Sequence, residues 1–417
     1  MKISNLSQVA TVLHDYIPKF QSVNWSFALD DMKALMNELG NPQEKVKIIH
    51  VAGTSGKTST CYYISDMLQR TGKTVGLTVS PHVDNINERV QLDGQPLPEA
   101  EFCRLFGEFV DLPAVKNNKP SYFGLLVAFA YWVFASQAVD YAVVEVGLGG
   151  RLDATNIIKN PNKIAVITDI GLDHTAMLGH DVVTIAGEKA GIIQAGNLVV
   201  MNRQGQPVLD AVKRRADKVG ASLGVMEVVK APKQLPLFQQ RNWCLARAAV
   251  ELLAERDSFL FTDSQAKASA QTIIPARMEI KSIGNKTLIF DGAHNNQKIL
   301  ALCKSVKEKY TDQKIAAIVS FSHDKNDNLD EKMLALHAAI DHLIITTFQV
   351  EQDLPRWSID SELVKSSAIK AGIKSLEVVP EPVKALAVLR DRPETVLLIT
   401  GSFYLLNLIR PLIKEFK

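Results

Sequence analysis

The stretch Lys47-Ile48-Ile49-His50-Val51-Ala52-Gly53-Thr54-Ser55-Gly56-Lys57-Thr58-Ser59-Thr60 constrains the fold of this chain more than any other. An apolar run ends in a short loop punctuated by glycine. A lysine and three hydroxyl residues follow, and then a helix-permissive segment from Cys61 to Gln69. The order reads strand, phosphate loop, helix. Glycines let the backbone turn tightly and approach a polyanion. The loop amides and the first helical turn then aim N–H groups at it. Gly53, Thr54, Ser55, Gly56, Lys57, Thr58 and Ser59 are therefore the candidate nucleotide contacts. Lys57 supplies a point charge for the terminal phosphates, and the Thr58 hydroxyl suits Mg²⁺. The common spacing puts a glycine five residues before Gly56, and Val51 stands there instead. A chance glycine turn ahead of a helix is the bland alternative. The strand before, the helix after and Gly-Lys-Thr at their junction favour the nucleotide.

The remaining bulk properties narrow the class. A chain of 417 residues suggests two or three domains. The net charge is +2 with no long basic tract, which gives nucleic acid binding no support. Cys61, Cys103, Cys244 and Cys303 lie far apart without metal-ligand spacing, as in a reducing cytoplasm. The first twenty residues lack the apolar centre of a signal peptide. Ser121–Val139 carries no charge and approaches the length of a membrane span. Pro120 and Asp140 bracket it, serines and alanines dilute it, and a strand follows at once. A fully buried helix is the better reading, with no membrane partner.

Residues 1–45 read as a short helical lead-in. Strand candidates at Lys47–Ala52, Thr74–Val79, Tyr141–Val146, Lys163–Thr168 and Leu198–Asn202 alternate with helices. That rhythm implies a doubly wound, mostly parallel α/β sheet. Val83–Pro98 reads as a loop or hairpin. Near Thr272–Arg277 the rhythm resets, and five further strand candidates begin at Thr287, Ile315, Leu343, Ser375 and Val396. The expected division is an ATPase domain at 1–275 and a second, Rossmann-like α/β domain at 276–417.

Ligands of open α/β sheets sit beyond the carboxyl ends of the strands. Ser80, Glu145, Asp173 and His174 fall there, together with Lys57 and Thr58. Mg²⁺ takes oxygen ligands and keeps waters, so one or two side chains plus phosphate oxygens suffice. Glu145 interrupts an apolar strand, where a lone carboxylate is costly unless paired or metal-bound. A structural ion pair is the competing account. His174 alone would more often be a satisfied structural histidine; its place two strands from the phosphate loop favours function. Lys189, a helix lysine beside Glu188, reads by default as solvated. Asp291-Gly292-Ala293-His294-Asn295 closes the first strand of the second domain, and Arg277, suited to fork onto phosphate, stands just after the join.

Together these segments resemble the Mur ligase superfamily, and more closely the folylpolyglutamate synthase and dihydrofolate synthase family. Leu39-Gly40-Asn41-Pro42-Gln43, the phosphate loop, Ser80-Pro81-His82 and Glu88-Arg89-Val90 carry the resemblance. So do Glu145 through Asn156, Gly171-Leu172-Asp173-His174, Glu188 through Ile192, Asp291 through Asn295 and Gly401-Ser402-Phe403-Tyr404. The resemblance implies ATP-dependent ligation of glutamate to a folate or dihydropteroate carboxylate through an acyl phosphate, with a monomer as the working unit. By the same resemblance, two magnesium sites use Thr58, Ser80 and Glu145, then His174 and Lys189. Lys189 matches a lysine carbamylated in the family, which would overturn the solvated default. Asn242, Arg277 and Asp291 match nucleotide contacts, and His294 a residue close to the reacting groups. The implied catalytic set is Lys57, His174, Lys189 and His294.

Several positions depart from the family pattern. The loop reads Ser55-Gly56-Lys57-Thr58-Ser59 where folate members carry Asn-Gly-Lys-Gly-Ser. Phe123-Gly124 replaces Phe-Glu, Phe238-Gln239 stands where a histidine precedes the Gln-x-x-Asn helix start, Asn296 follows Asn295 in place of proline, and Ala276-Arg277-Met278-Glu279 replaces Gly-Arg-Phe-Glu. ATP chemistry survives all of them, and what they open is the identity of the acceptor, because the pterin contacts are not secured. The departures leave open a Mur-like ligase for another carboxylate, such as a cell-wall precursor, or a nucleotide-binding protein whose ligase activity has decayed.

Overall fold

The computed structural model describes residues 2–17, 25–118, 120–227, 231–323, 328–351 and 355–415. Two compact units divide the chain. The first comprises Met1–Leu235 with Gln239–Thr272; the second comprises Pro236–Phe238 with Ile273–Lys417.

Eight strands build the sheet of the first unit. They are β1 Lys47–Ala52, β2 Val75–Thr78, β3 Gln91–Leu92, β4 Gln95–Pro96, β5 Tyr141–Glu145, β6 Ile164–Ile167, β7 Leu198–Asn202 and β8 Ser222–Met226. Their spatial order is β4-β3-β2-β5-β1-β6-β7-β8. All pairs are parallel except those of the small hairpin β3–β4. The central strands bury both faces, so their sequences run apolar without alternation. β1 lies at the middle with β5 on one side and β6 on the other, and Val51 faces Glu145 across the β1–β5 pair. His174, read from chain order as two strands from the phosphate loop, thus follows the strand next to it. A doubly wound sheet adds strands outward from its first, so chain order is not spatial order.

The charge-free segment forms the helix Tyr122–Ser136, started by Ser121, whose Oγ accepts the Gly124 N–H at 3.2 Å. Phe129 on this helix meets Phe102 and Phe106 edge-on, with ring centroids 5.3 Å apart in each pair, the offset geometry aromatic quadrupoles favour. Among the described residues no helix is long and apolar enough to cross a membrane. The helix that carries Asn242 runs from Leu237 to Asp257. β8, absent from the sequence reading, forms because Val199 and its neighbours offer an open parallel edge.

The second unit carries β9 Glu279–Ile283, β10 Lys286–Phe290, β11 Ile315–Val319, β12 His342–Ile345, β13 Gln349–Glu351, β14 Pro355–Trp357, β15 Leu376–Val378 and β16 Val396–Thr400. Six of these form one sheet, β15-β12-β11-β16-β10-β9, while β13 and β14 pair separately. All five strands expected here are present. β9 is an added antiparallel edge, joined to β10 through Gly284-Asn285, with Gly284 at φ +58°. Its Glu279-Ile280-Lys281-Ser282-Ile283 sequence exposes three of five residues, which hides the strand from an apolar-run search. The core of this unit gathers Ile289, Val306, Ala317 and Leu398, all fully buried, with their neighbours.

Candidate active site

The phosphate loop is built as its residues require. Gly53 and Gly56 take φ +156° and +89°, and Gly56 is the N-cap of the helix Lys57–Gln69. Neither has room for a side chain: Thr168 fills the place of a Cβ at Gly53, and Asn242 Oδ1 fills it at Gly56. The first half of the loop is tied down. The Thr54 and Ser55 N–H groups donate to the Asp169 carbonyl at 2.9 and 3.0 Å. The Thr54 hydroxyl accepts from the Gly171 N–H at 3.1 Å and donates to the Gly171 carbonyl at 3.0 Å. The second half, Gly56 to Ser59, leads into the positive end of the helix, where anions are favoured. Lys57 Nζ folds back to donate to the Gly53 carbonyl at 3.2 Å, which holds its charge over the loop.

Glu145 ends β5 beside this loop and is 3% exposed. Its Oε1 accepts the Thr58 hydroxyl at 2.9 Å, and its Oε2 accepts the Ser80 N–H at 3.1 Å. A buried carboxylate that holds one hydroxyl, that of Thr58, and the backbone N–H of a second hydroxyl residue, Ser80, gathers the oxygen-bearing residues a hard cation takes. Among the described residues no group of three or more His, Cys, Asp or Glu gathers as a metal site. A magnesium ion here would take Glu145, Thr58 and Ser80, with its other positions filled by phosphate oxygens and water.

His174 caps the short helix Thr175–Leu178 at φ +51°, and its N–H donates to its neighbour Asp173 Oδ1 at 3.0 Å. It is carried by the same segment that Thr54 grips at Gly171. Lys189 corrects the solvated default: it is 4% exposed. The residue beside it, Glu188, pairs with Arg151 at 2.9 Å. The end of its helix lies so close to Gly150 that a Cβ there would meet the Glu188 and Lys189 carbonyls at 2.8 and 3.0 Å. Burial follows from that approach, which only a glycine permits.

A polar chain that the sequence reading does not single out supports the same glycine-rich loop. Thr155 gives its hydroxyl proton to Asp153 at 2.5 Å, so it accepts from His50 Nε2–H at 2.8 Å. Burial holds His50 well below the usual imidazole range, and hence neutral. Asp153 also accepts the Leu148 N–H at 2.8 Å. A histidine inside the apolar strand β1 is the signal that marks this chain in the sequence.

In the second unit, Asp291 is buried and accepts the Met278 and Ala293 N–H groups at 2.7 and 2.8 Å. Desolvation pushes its carboxyl up to about 6, against the lowering pull of Arg277 and of those two N–H donors. The Arg277 guanidinium lies 4.3 Å from the Phe403 ring centroid, and His294 packs edge-on to the same ring at 5.9 Å. His294 Nδ1–H donates to the Gly292 carbonyl at 2.8 Å, which leaves Nε2 to accept from Lys298 Nζ at 3.2 Å. Phe403 therefore brings Arg277 and His294 together, as the fold brings Gly53–Ser59, Ser80, Glu145 and Asn242 together in the first unit.

Residues 51–228 match the Mur ligase middle domain, and residues 276–403 match the Mur ligase, glutamate ligase domain. The chain is 30% identical to the dihydrofolate synthase/folylpolyglutamate synthase of Bacillus subtilis, over 93% of this chain and 95% of that one. It is 31% identical to the folylpolyglutamate synthase of Lacticaseibacillus casei, over 90% and 92%. Its structure is similar to Mycobacterium tuberculosis folylpolyglutamate synthase complexed with ADP and AMPPCP, with TM-score 0.84, 27% identity and 98% of each chain covered. It is also similar to E. coli FolC in complex with DHPP and ADP, with TM-score 0.83, 25% identity and 99% and 98% covered. By sequence and by fold alike, the chain belongs to the folylpolyglutamate synthase/dihydrofolate synthase family of Mur ligases.

Proposed function

We propose that this chain is a magnesium-dependent ligase that uses ATP to join L-glutamate to a folate-type or dihydropteroate carboxylate. The observation that carries the reading is Glu145, buried at the mouth of the phosphate loop with the Thr58 hydroxyl and the Ser80 N–H on its two oxygens. The nucleotide complexes of the related proteins support ATP as the nucleotide.

In this reading the acceptor carboxylate attacks the γ-phosphorus of ATP, the bond to ADP breaks, and an acyl phosphate forms. The glutamate amine then attacks the acyl carbon, loses a proton, and phosphate leaves. Magnesium, when bound, neutralises charge on the phosphates. Lys57 moves its ammonium from the Gly53 carbonyl to the γ-phosphate, while the Gly56–Ser59 amides hold the oxygens as charge shifts, which is chiefly electrostatic work. The 1–275 segment supplies this chemistry and the 276–417 segment receives the amino acid. Arg277 and Asp291 contact the nucleotide, and His294 lies near the reacting groups. His174 and Lys189 would hold a second magnesium, Lys189 as the carbamate formed when its neutral amine adds carbon dioxide and loses a proton. The reaction runs in the cytoplasm, with a monomer as the working unit.

The test is phosphate release from Mg-ATP and glutamate with dihydropteroate, with a reduced folate, and with no acceptor. Stimulation by both acceptors means a bifunctional enzyme, and by folate alone a polyglutamate extender. Nucleotide binding with neither stimulated would overturn the folate assignment and point to another carboxylate. Lys57→Ala abolishes turnover; Lys189→Ala is nearly inactive and regains turnover with added short carboxylates. An unimpaired Lys189→Ala protein removes the carbamate.

A further inference from the structure

Two backbone amides of the phosphate loop, those of Thr54 and Ser55, both donate to a single carbonyl, that of Asp169. The side chain of the same residue is gripped from the other side. Arg241 Nε donates to Asp169 Oδ2 at 2.9 Å, and Arg241 Nη2 donates to Oδ1 at 2.6 Å. This is the two-pronged geometry that fixes a carboxylate in orientation as well as position. Arg241 Nη2 also donates to the Arg203 carbonyl at 3.2 Å, and Asn202 Nδ2 donates to Asp169 Oδ1 at 3.3 Å. Gln204 completes the frame: its Oε1 accepts the Ile170 N–H at 2.7 Å and its Nε2 donates to the Thr168 carbonyl at 3.2 Å.

Segment 168–171 is thus pinned from the ends of β7 and the helix Leu237–Asp257, and it in turn pins the loop. His174 follows three residues after Gly171. The residue after Arg241 is Asn242, which seats on Gly56. One helix therefore touches the loop at two points, through Asn242 directly and through Arg241 by way of Asp169.

We propose that Asp169 and Arg241 are positioning residues for ATP: their ion pair holds the Asp169 peptide so that its carbonyl ties Thr54 and Ser55, and thereby sets Lys57 and His174 in a common frame. The pair is partly exposed, with side-chain exposures of 22% and 34%. Partly exposed ion pairs add little to stability. Its consequence is the direction of a peptide plane one residue from the loop's hydrogen bonds. The inference rests on the loop being the nucleotide site.

The experiment uses the full-length protein with Asp169→Ala, Arg241→Ala, Arg241→Lys and the Asp169→Ala/Arg241→Ala double variant. A fluorescent, non-hydrolysable ATP analogue reports affinity, steady-state kinetics report KM for ATP and for glutamate, and melting reports stability. The expected result is nucleotide affinity down, and KM for ATP up, by about tenfold or more in each single alanine variant. KM for glutamate stays within twofold and the melting midpoint within a few degrees. The double variant is no worse than either single, because both changes break one contact. Arg241→Lys recovers only part, since an ammonium lacks the fork. Wild-type nucleotide affinity in both single variants would overturn the proposal, as would losses that add in the double variant or that fall equally on glutamate. Lys57→Ala separates the two levels: if it binds the analogue like the wild type, the site reading fails; if it loses binding while Asp169→Ala does not, only this inference fails.

Discussion

Asn242 occupies the space that any side chain on Gly56 would need, and Gly56 itself sits at φ +89°. The two residues are far apart in the chain yet share one pocket of space at the start of the phosphate-loop helix.

Gly56→Ala therefore meets two penalties, the left-handed backbone and the collision with Asn242. Gly72 is the control, at φ +81° with nothing within 4 Å of an added Cβ. Gly72→Ala costs about 1–2 kcal/mol of stability from the backbone alone and leaves activity intact. Gly56→Ala costs more and loses nucleotide binding. Denaturant unfolding and nucleotide titration of both variants check the difference.

Glu145→Gln retains size and removes charge. One amide oxygen cannot accept from both donors: the N–H₂ group either meets the Ser80 N–H or faces the Thr58 hydroxyl, which then loses its acceptor. The expected outcome is a folded protein whose half-maximal Mg²⁺ concentration in phosphate release rises by about tenfold or more. An unchanged Mg²⁺ requirement would remove Glu145 from the metal site.

Asp291 makes stability depend on pH in a direction opposite to an ordinary salt-bridged carboxylate. Its folded value, about 6, lies above its unfolded value near 3.8, so the folded state holds the proton more tightly. This neutral-form advantage is fully present below the unfolded value and is lost as pH rises through about 6, a swing of up to about 3 kcal/mol. Between pH 4 and 6 the wild type falls in stability relative to Asp291→Asn. Urea unfolding of both proteins across that range measures the relative slope.

Lys163 is a second buried titrating group, 1% exposed, with Nζ donating to the Ile192 carbonyl at 2.7 Å. Desolvation lowers its ammonium from 10.5 to about 7, although Glu44 pulls it up. Below pH 7 both folded and unfolded chains carry the charge, and the folded state bears the whole desolvation cost. Between 7 and 10.5 the unfolded chain binds more protons, so this site adds stability as pH rises. Lys163→Met removes that rise, and its stability relative to wild type is greatest near pH 6. Thermal melts at pH 6 and pH 9 show it.

The strand–loop–helix at Lys47–Gln69 was legible because its local pattern is self-sufficient: an apolar strand, two glycines and a lysine at a helix start. Glu145 was legible for a related reason, since a carboxylate inside Tyr141–Val146 has no inexpensive structural place. Arg241 was not. An arginine on a helix looks solvated, and its partner Asp169 lies 72 residues earlier in the chain. β9 escaped because an edge strand buries little and so shows no apolar run.

Local chemistry in the sequence alone determined the phosphate loop, the alternation of strands and helices, and the residue types beyond the strand ends, since short-range backbone preference and side-chain solvation act within a few residues. Only the tertiary structure decided that β6 lies directly beside β1, that Lys189 is buried against Gly150, and that the Asp169 carbonyl takes the first two loop amides. Those facts depend on which distant segments pack together, and packing is settled by burial summed over the whole unit and not by any one stretch of residues.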